Sequence, residues 1–125
     1  MSFDKEIKRI LLESPQIIND DILLAVYKYQ YDFNTVYKNY ADAVHKTPFS
    51  VKSVADIPFL PISFYKNHSI TTQDSSVDFS RQIEFYSSGT TSSNRSTHYV
   101  ADPEFYKIRS QQIFEHYYGL SLIHI

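Results

Sequence analysis

Residues 82–93 read Gln82-Ile83-Glu84-Phe85-Tyr86-Ser87-Ser88-Gly89-Thr90-Thr91-Ser92-Ser93, and this is the most informative stretch of the chain. Its first five residues alternate polar and apolar side chains and are rich in strand formers, which predicts a β-strand ending at Tyr86. The seven residues that follow contain one of the only two glycines in the chain, and all the others carry a hydroxyl group. The interpretation of the whole chain starts from this strand and its small, polar loop.

The loop has the chemistry of a phosphate-binding site. Gly89 can adopt backbone angles closed to other residues, so the chain can wrap around a ligand there. Successive amide N–H groups in such a turn form a concavity that binds anions, and serine and threonine hydroxyls add hydrogen-bond donors. The loop lacks the Gly-x-x-x-x-Gly-Lys-Ser/Thr spacing of a Walker motif. Because Ser/Thr/Gly clusters are also common in ordinary loops, a solvent-facing connector is the alternative.

A family resemblance is carried by Phe85-Tyr86-Ser87-Ser88-Gly89-Thr90-Thr91, which is similar to the signature loop of adenylate-forming enzymes. Residues 56–66 and 96–102 resemble the segments before and after this loop in the acyl-protein synthetase family. That family includes the fatty-acid-activating component of bacterial luminescence and its relatives. The chain departs from the superfamily pattern in two ways, since Ser92 replaces the second glycine and the usual Pro-Lys is absent, with Asn94-Arg95 in the neighbourhood.

The resemblance implies an N-terminal fragment of an ATP-dependent acyl-activating ligase. In this family a carboxylate attacks ATP to give an acyl-adenylate and pyrophosphate, and the acyl group then passes to a thiol. The residues that would contact the ATP phosphates, with Mg expected alongside, are Ser87, Ser88, Gly89, Thr90, Thr91, Ser92 and Ser93. The expected partners are a carboxylic acid substrate and a thiol acceptor, which is CoA, a carrier protein or a protein cysteine. The catalytic residues are unknown, and we expect the fragment to be inactive alone.

The extent of the fragment follows from the same resemblance. Residues 1–119 are interpreted as the N-terminal part of the large domain of the ligase. Residues 120–125, Leu-Ser-Leu-Ile-His-Ile, match a peptide that a transposase sequencing adapter encodes in one reading frame. We interpret them as a non-native tail, with a short apolar strand after a helix stop as the alternative.

Composition argues against several functional classes. The net charge of −2 provides no basic field for nucleic acid. The chain has no cysteine, and its five histidines show no pair at metal-ligand spacing on one helix face, so we predict no metal site. No window approaches the roughly 20 apolar residues of a membrane span. The charged first residues are unlike a signal peptide, so we expect a cytoplasmic protein.

Two further functions compete with the ligase interpretation. The first is a non-catalytic binding or protein-interaction module in which the Ser/Thr loop faces solvent. The second is a hydrolase triad of Ser88, His98 and Asp102, although the chain has no Gly-x-Ser-x-Gly elbow. Arg95 and Lys107 are candidates to neutralise phosphate.

The sequence on both sides of the loop predicts an α/β fold, in which a helical N-terminal region is followed by strand–loop–strand–helix. Apolar side chains at helical spacing predict helices over residues 3–13, 22–30 and 34–44, and the pattern does not decide whether the last two are one helix. We interpret these apolar stripes as core. The eleven Tyr and nine Phe residues predict a core of aromatic rings with polar tips.

The second half of the chain predicts short elements. A proline-rich connector leads to a short helix over residues 62–67. Strands are predicted over residues 69–72, 81–86 and 97–100. The last helix begins at Asp102-Pro103-Glu104, where Asp caps the helix and Pro takes its first position, and it is predicted to stop at Gly119.

Overall fold

The computed structural model describes residues 3–13, 19–87 and 95–123, and it describes the side chains of the last helix as far as Glu115. In chain order the elements are α1 (Phe3–Glu13), α2 (Asp20–Phe33), α3 (Thr35–Ala43), a 3-10 turn (Val54–Asp56), α4 (Phe64–Asn67), β1 (Ile83–Tyr86), β2 (Thr97–Val100) and α5 (Pro103–Ile123). The two strands pair as an antiparallel sheet. This mixture of helices and a small sheet agrees with the predicted α/β class in its general form.

The described residues divide into two compact units. The first unit contains residues 3–13, 76–83 and 100–123, and the second contains residues 19–75, 84–87 and 95–99. Every described residue that is buried belongs to the second unit. Among the described residues, no helix combines the length and the apolar character needed to cross a bilayer.

Asparagine side chains separate the helices at the start of the second unit. Asn19 caps α2 by accepting a hydrogen bond from the Ile22 N–H at 2.9 Å. Asn34 has extended backbone angles, φ −123° and ψ 101°, and its Oδ1 accepts the Tyr37 N–H at 3.1 Å. The same residue therefore ends α2 and begins α3. The apolar pattern left open whether this region forms one helix or two, and the structure has two.

The core of the second unit is built from tyrosine. The rings of Tyr27 and Tyr37 meet edge to face with centroids 6.1 Å apart, and Val51 packs against them. The Tyr27 hydroxyl donates to the Lys46 carbonyl and the Tyr37 hydroxyl to the Pro58 carbonyl, each at 2.7 Å. The predicted aromatic core with polar tips is thus confirmed, and the tips hold the irregular connector against α2 and α3.

Helix α3 ends in a Schellman motif. The Lys46 N–H donates to the Ala41 carbonyl at 2.9 Å, and the His45 N–H donates to the Asp42 carbonyl at 3.1 Å. His45 has a φ of 60°, in the left-handed region where glycine is the usual residue. The motif turns the chain away from α3 and into the connector.

The strand predicted over residues 69–72 is wrong. This segment has no regular structure, because its hydrogen bonds go to α2 rather than to another strand. Thr72 Oγ1 donates to Gln30 Oε1 at 3.2 Å, and the following Gln73 N–H donates to the Phe33 carbonyl at 2.5 Å. The β-forming residues supply the buried side chain of Ile70 instead.

The short helix and the two strands around the loop are confirmed, although the helix and the first strand begin later than predicted. Helix α4 begins at Phe64 rather than Ile62, because the turn before it has i to i+3 hydrogen bonds such as Phe64 N–H to Pro61 O at 3.0 Å. Strand β1 begins at Ile83 rather than Arg81. Strand β2 has the predicted bounds.

The first unit pairs α1 with α5. Asp102 caps α5 by accepting the Phe105 N–H at 3.0 Å, as the sequence predicted. Its other carboxylate oxygen accepts from Lys8 Nζ at 3.0 Å, and Gln112 Nε2 donates to the Leu12 carbonyl at 3.2 Å. Asp102 therefore caps α5 and also links it to α1.

The predicted helix stop at Gly119 is wrong, since α5 continues to Ile123. Glycine inside a helix is unfavourable by about 1 kcal/mol relative to alanine, but it keeps its N–H donor and does not by itself end a helix. The predicted strand alternative for residues 120–125 is also wrong as far as Ile123, while 124 and 125 lie outside the described residues.

Candidate functional site

The predicted phosphate loop connects the two strands of the sheet. Ser87 follows β1 directly, and of the seven predicted site residues it is the one that the structure describes. The other six, which lie outside the described residues, are Ser88, Gly89, Thr90, Thr91, Ser92 and Ser93. Their part in binding phosphate stays a prediction.

The base of the loop is closed by two hydrogen bonds between Ser87 and Ser96. The Ser87 N–H donates to the Ser96 carbonyl at 2.9 Å, and the Ser96 N–H donates to Ser87 Oγ at 2.7 Å. Ser96 is 3% exposed, whereas Ser87 is exposed. Because the Ser87 amide is used in the hairpin, only its hydroxyl proton is left to offer to an anion.

The charged groups next to this base are of both signs. Arg95 is exposed and directly precedes Ser96. On β1 the Tyr86 hydroxyl donates to the Glu84 carboxylate, and this hydrogen bond raises the pKa of Tyr86 above its ordinary value. Lys107, the other predicted phosphate partner, is an exposed residue of α5 in the first unit.

His98 is held by an aromatic contact. Its ring stacks on that of Tyr65 with centroids 4.2 Å apart and planes 26° apart, so α4 and β2 meet at this pair. The structure gives no support to the hydrolase triad, because the Asp102 carboxylate accepts from Lys8 and from the Phe105 amide within the first unit. Ser88 of that triad lies outside the described residues.

Metal ligands are not gathered anywhere in the described part of the chain. No group of three or more His, Asp or Glu side chains there could hold a metal ion. A magnesium ion that arrives with a nucleotide is commonly held by phosphate oxygens, water and one or two carboxylates, so it needs no cluster of this kind.

A cavity of about 370 Å³ lies in the second unit, in a region that the sequence predicted to be core. One wall is aliphatic and comes from α2 and the connector, with Leu23, Val26, Ile57 and Leu60 among its residues. Aromatic side chains complete the lining, namely Tyr27, Tyr37, Phe59 and Tyr65. The volume and the lining are typical of a small-molecule site.

Two polar residues of the cavity are oriented by the helix break. Asn34 is 8% exposed, and because its Oδ1 accepts the Tyr37 amide, its Nδ2 must face Gln30. Gln30 Oε1 accepts from Asn34 Nδ2 at 3.2 Å and from Thr72 Oγ1 at 3.2 Å. This leaves the Gln30 Nε2 donors without an acceptor among the described residues. A polar Gln in an apolar helical stripe was the signal that the sequence offered for this site.

Comparisons with known proteins provide no family for this chain, so the functional argument depends on its own residues. No protein-family model, curated protein or solved structure matches this sequence. The resemblance to acyl-protein synthetases therefore stays a prediction carried by the loop and its flanking segments. The site geometry adds the hairpin base and the cavity.

Proposed function

We propose that this chain is the N-terminal part of an ATP-dependent acyl-activating ligase of the acyl-protein synthetase type, and that Ser87–Ser93 hold the phosphates of ATP. The proposal is carried by one observation. The predicted loop lies between two paired strands whose ends are joined by the Ser87–Ser96 hydrogen bonds. Holding the two ends of a loop together lowers the chain entropy that is lost when the loop closes around an anion.

The described groups at the base fit a phosphate. The guanidinium of Arg95 offers donors in a planar fork, and the Ser87 hydroxyl offers one more. Within the ligase, the role of the loop is to orient the pyrophosphate leaving group and to offset its developing charge. Carboxylic acid activation and transfer to a thiol acceptor belong to the proposal and come from the family resemblance.

The test is anion binding by the 125-residue chain and two variants. Gly89→Val places a β-branched side chain in the loop, and Ser69→Val makes a β-branched change at an exposed position of the same unit. We expect calorimetry to show pyrophosphate binding that Gly89→Val weakens by about tenfold or more, equivalent to about 1.4 kcal/mol. Ser69→Val should bind like the original chain, and circular dichroism should show that both variants fold.

Two results would contradict the proposal. Failure of the original chain to bind pyrophosphate or Mg·ATP would remove the phosphate role of the loop. Equal binding by the two variants would mean that the loop is a connector. Exchange of pyrophosphate into ATP by this chain would overturn the separate expectation that it is inactive alone.

The second candidate is a non-catalytic interaction module, and a specific observation favours it. Three large apolar side chains of the second unit are strongly exposed, with Phe49 at 89%, Phe59 at 84% and Ile62 at 73%. Large apolar side chains at the surface are candidates for contact with a partner protein. This candidate becomes the better one if pyrophosphate binding is absent or is unaffected by Gly89→Val.

A further inference from the structure

We propose that the cavity of the second unit binds an uncharged, mainly apolar small molecule that accepts a hydrogen bond from Gln30. This inference does not rest on the ligase proposal, because none of the cavity residues belongs to the Ser87–Ser93 loop. It concerns a second site with a different ligand chemistry.

The absence of charge in the lining sets the first property of the ligand. No Lys, Arg, His, Asp or Glu is among the residues that the structure places around the cavity. An ion transferred from water into such surroundings loses its hydration without gaining a partner, which is strongly unfavourable. A neutral molecule avoids this cost, so the cavity discriminates against carboxylates and protonated amines.

The hydrogen-bond direction sets the second property. The Tyr37 amide fixes the Asn34 side chain, and Asn34 in turn makes Gln30 present its oxygen inward to the helix break. The remaining Gln30 group is an NH₂, which donates and cannot accept. Tyr65, whose hydroxyl has no hydrogen-bond partner among the described residues, adds a donor at the same cavity. The complementary ligand carries an acceptor such as a carbonyl oxygen.

The walls set the third property, which is shape. Aromatic rings line the cavity together with branched aliphatic side chains, and these surfaces suit a flat ring system. Phe59 is among the lining residues although the residue is 84% exposed, so a ligand that covers its ring removes apolar surface from water, which favours binding.

The cavity is built before any ligand arrives. The Tyr37 hydroxyl holds the Pro58 carbonyl at 2.7 Å, and Pro58 and Pro61 stiffen the segment that carries Phe59 and Leu60. The opposite wall is helix α2. Since both walls are fixed by contacts of the protein with itself, little ordering is needed on binding, and this favours affinity.

The probe for the test is prodan, a neutral naphthalene ketone whose fluorescence shifts to the blue in apolar surroundings. We expect the 125-residue chain to cause this shift in a saturable way. Competition then compares 2-acetonaphthone with 2-naphthoate, which share the ring system and differ in charge. The ketone should displace prodan, and the carboxylate should be weaker by about tenfold or more.

Two pairs of variants locate the binding. Leu23→Trp places a large side chain at the cavity, and Lys28→Trp makes the same change at an exposed position of α2 outside the lining. Gln30→Glu keeps the acceptor oxygen for Asn34 and removes the donors, and Tyr65→Phe removes the hydroxyl alone. We expect Leu23→Trp and Gln30→Glu to weaken prodan binding about tenfold, Tyr65→Phe to weaken it less, and Lys28→Trp to leave it unchanged.

Several outcomes would overturn this proposal. They are no prodan shift with the original chain, equal competition by the ketone and the carboxylate, or equal loss with Leu23→Trp and Lys28→Trp. Thermal unfolding of each variant shows whether a loss of binding comes from a loss of the fold. If Leu23→Trp does not fold, the Gln30→Glu and Tyr65→Phe variants decide whether prodan binds in the cavity. A chain that binds prodan and not pyrophosphate keeps this inference and refutes the ligase proposal, and the reverse result does the opposite.

Discussion

At the scale of single residues, His45 shows how the chain ends a helix without glycine. Its φ of 60° lies in the left-handed region, where the side chain of an L-residue crowds the following carbonyl. The two hydrogen bonds of the Schellman motif hold the residue there. The unfavourable backbone angle is thus offset by satisfying carbonyl groups at the end of α3.

Replacing His45 by glycine should stabilise the second unit. Glycine adopts the left-handed conformation without the steric penalty, although it gains freedom in the unfolded chain, so we expect a net gain of about 0.5–1 kcal/mol. Urea unfolding followed by circular dichroism measures the change. His45→Ala is the matched control and should leave the free energy of unfolding close to that of the original chain. A loss of stability with His45→Gly would mean that the imidazole itself holds the turn.

At the scale of elements, the sequence predicted best where a side chain acts on its own backbone. The caps by Asn34 and Asp102 were visible because a polar residue preceded an apolar helical stripe. The strand over residues 69–72 failed because β-forming residues do not reveal whether a partner strand exists. The predicted stop at Gly119 failed because Gly119 does not take the left-handed conformation that ends many helices, and α5 continues through it.

Of the two candidate sites, the loop could be predicted from the sequence and the cavity could not. The strands beside the loop were predictable because their alternation and the hydroxyl-rich stretch between them are local in the sequence. The cavity was not, because its walls come from α2 and from a connector about thirty residues later. Periodicity identified Leu23, Val26 and Tyr27 as a buried face, but it does not say whether that face is covered completely.

The cap of α5 can be tested with a series at Asp102. Asp102→Ala removes the bond to the Phe105 amide and the ion pair with Lys8, and should lower the free energy of unfolding by about 1 kcal/mol. Asp102→Asn keeps the cap and loses the ion pair, so it should be less destabilising. Lys8→Met is the control for the pair. Equal destabilisation by Asn and Ala would show that the charge, and not the cap, stabilises this end of α5.

The pH dependence of the same group follows from its hydrogen bonds. The Phe105 amide, and then Lys8, hold the pKa of Asp102 below its ordinary value. The folded state therefore binds fewer protons than the unfolded state in the acid range. The contribution of Asp102 to stability is present above its unfolded pKa of about 4 and is lost as the pH falls through the lower folded value.

At the scale of the whole molecule, the tyrosine core makes stability sensitive to alkali. Burial, followed by the neighbouring Tyr27 and Tyr40, raises the pKa of Tyr37 to about 12. An unfolded tyrosine has a pKa of about 10, so between these values the unfolded chain releases a proton that the folded chain keeps. Stability from this group is complete below pH 10 and declines as the pH rises towards 12.

We expect the free energy of unfolding to fall between pH 10 and 12 with a slope from Tyr37 of at most about 1.4 kcal/mol per pH unit. Urea titrations at intervals across this range measure it. Tyr37→Phe should be less stable at pH 8, because the Pro58 carbonyl loses its donor, and should show a shallower alkaline slope. Tyr27, whose pKa burial also raises, should behave similarly when changed to Phe. An unchanged slope in Tyr37→Phe would assign the alkaline loss to other groups.

The hydroxyl groups of Tyr27 and Tyr37 limit how the connector between Lys46 and Pro58 can change during evolution. Both bind main-chain carbonyls, of Lys46 and Pro58, and a carbonyl is the same whichever side chain its residue carries. The connector between these two points is therefore free to vary in sequence where its side chains are exposed. Its length is not free, because one inserted or deleted residue would move a carbonyl away from the fixed tyrosine beside it. Related chains should accordingly keep the number of residues between these two points while exchanging many of the residues themselves.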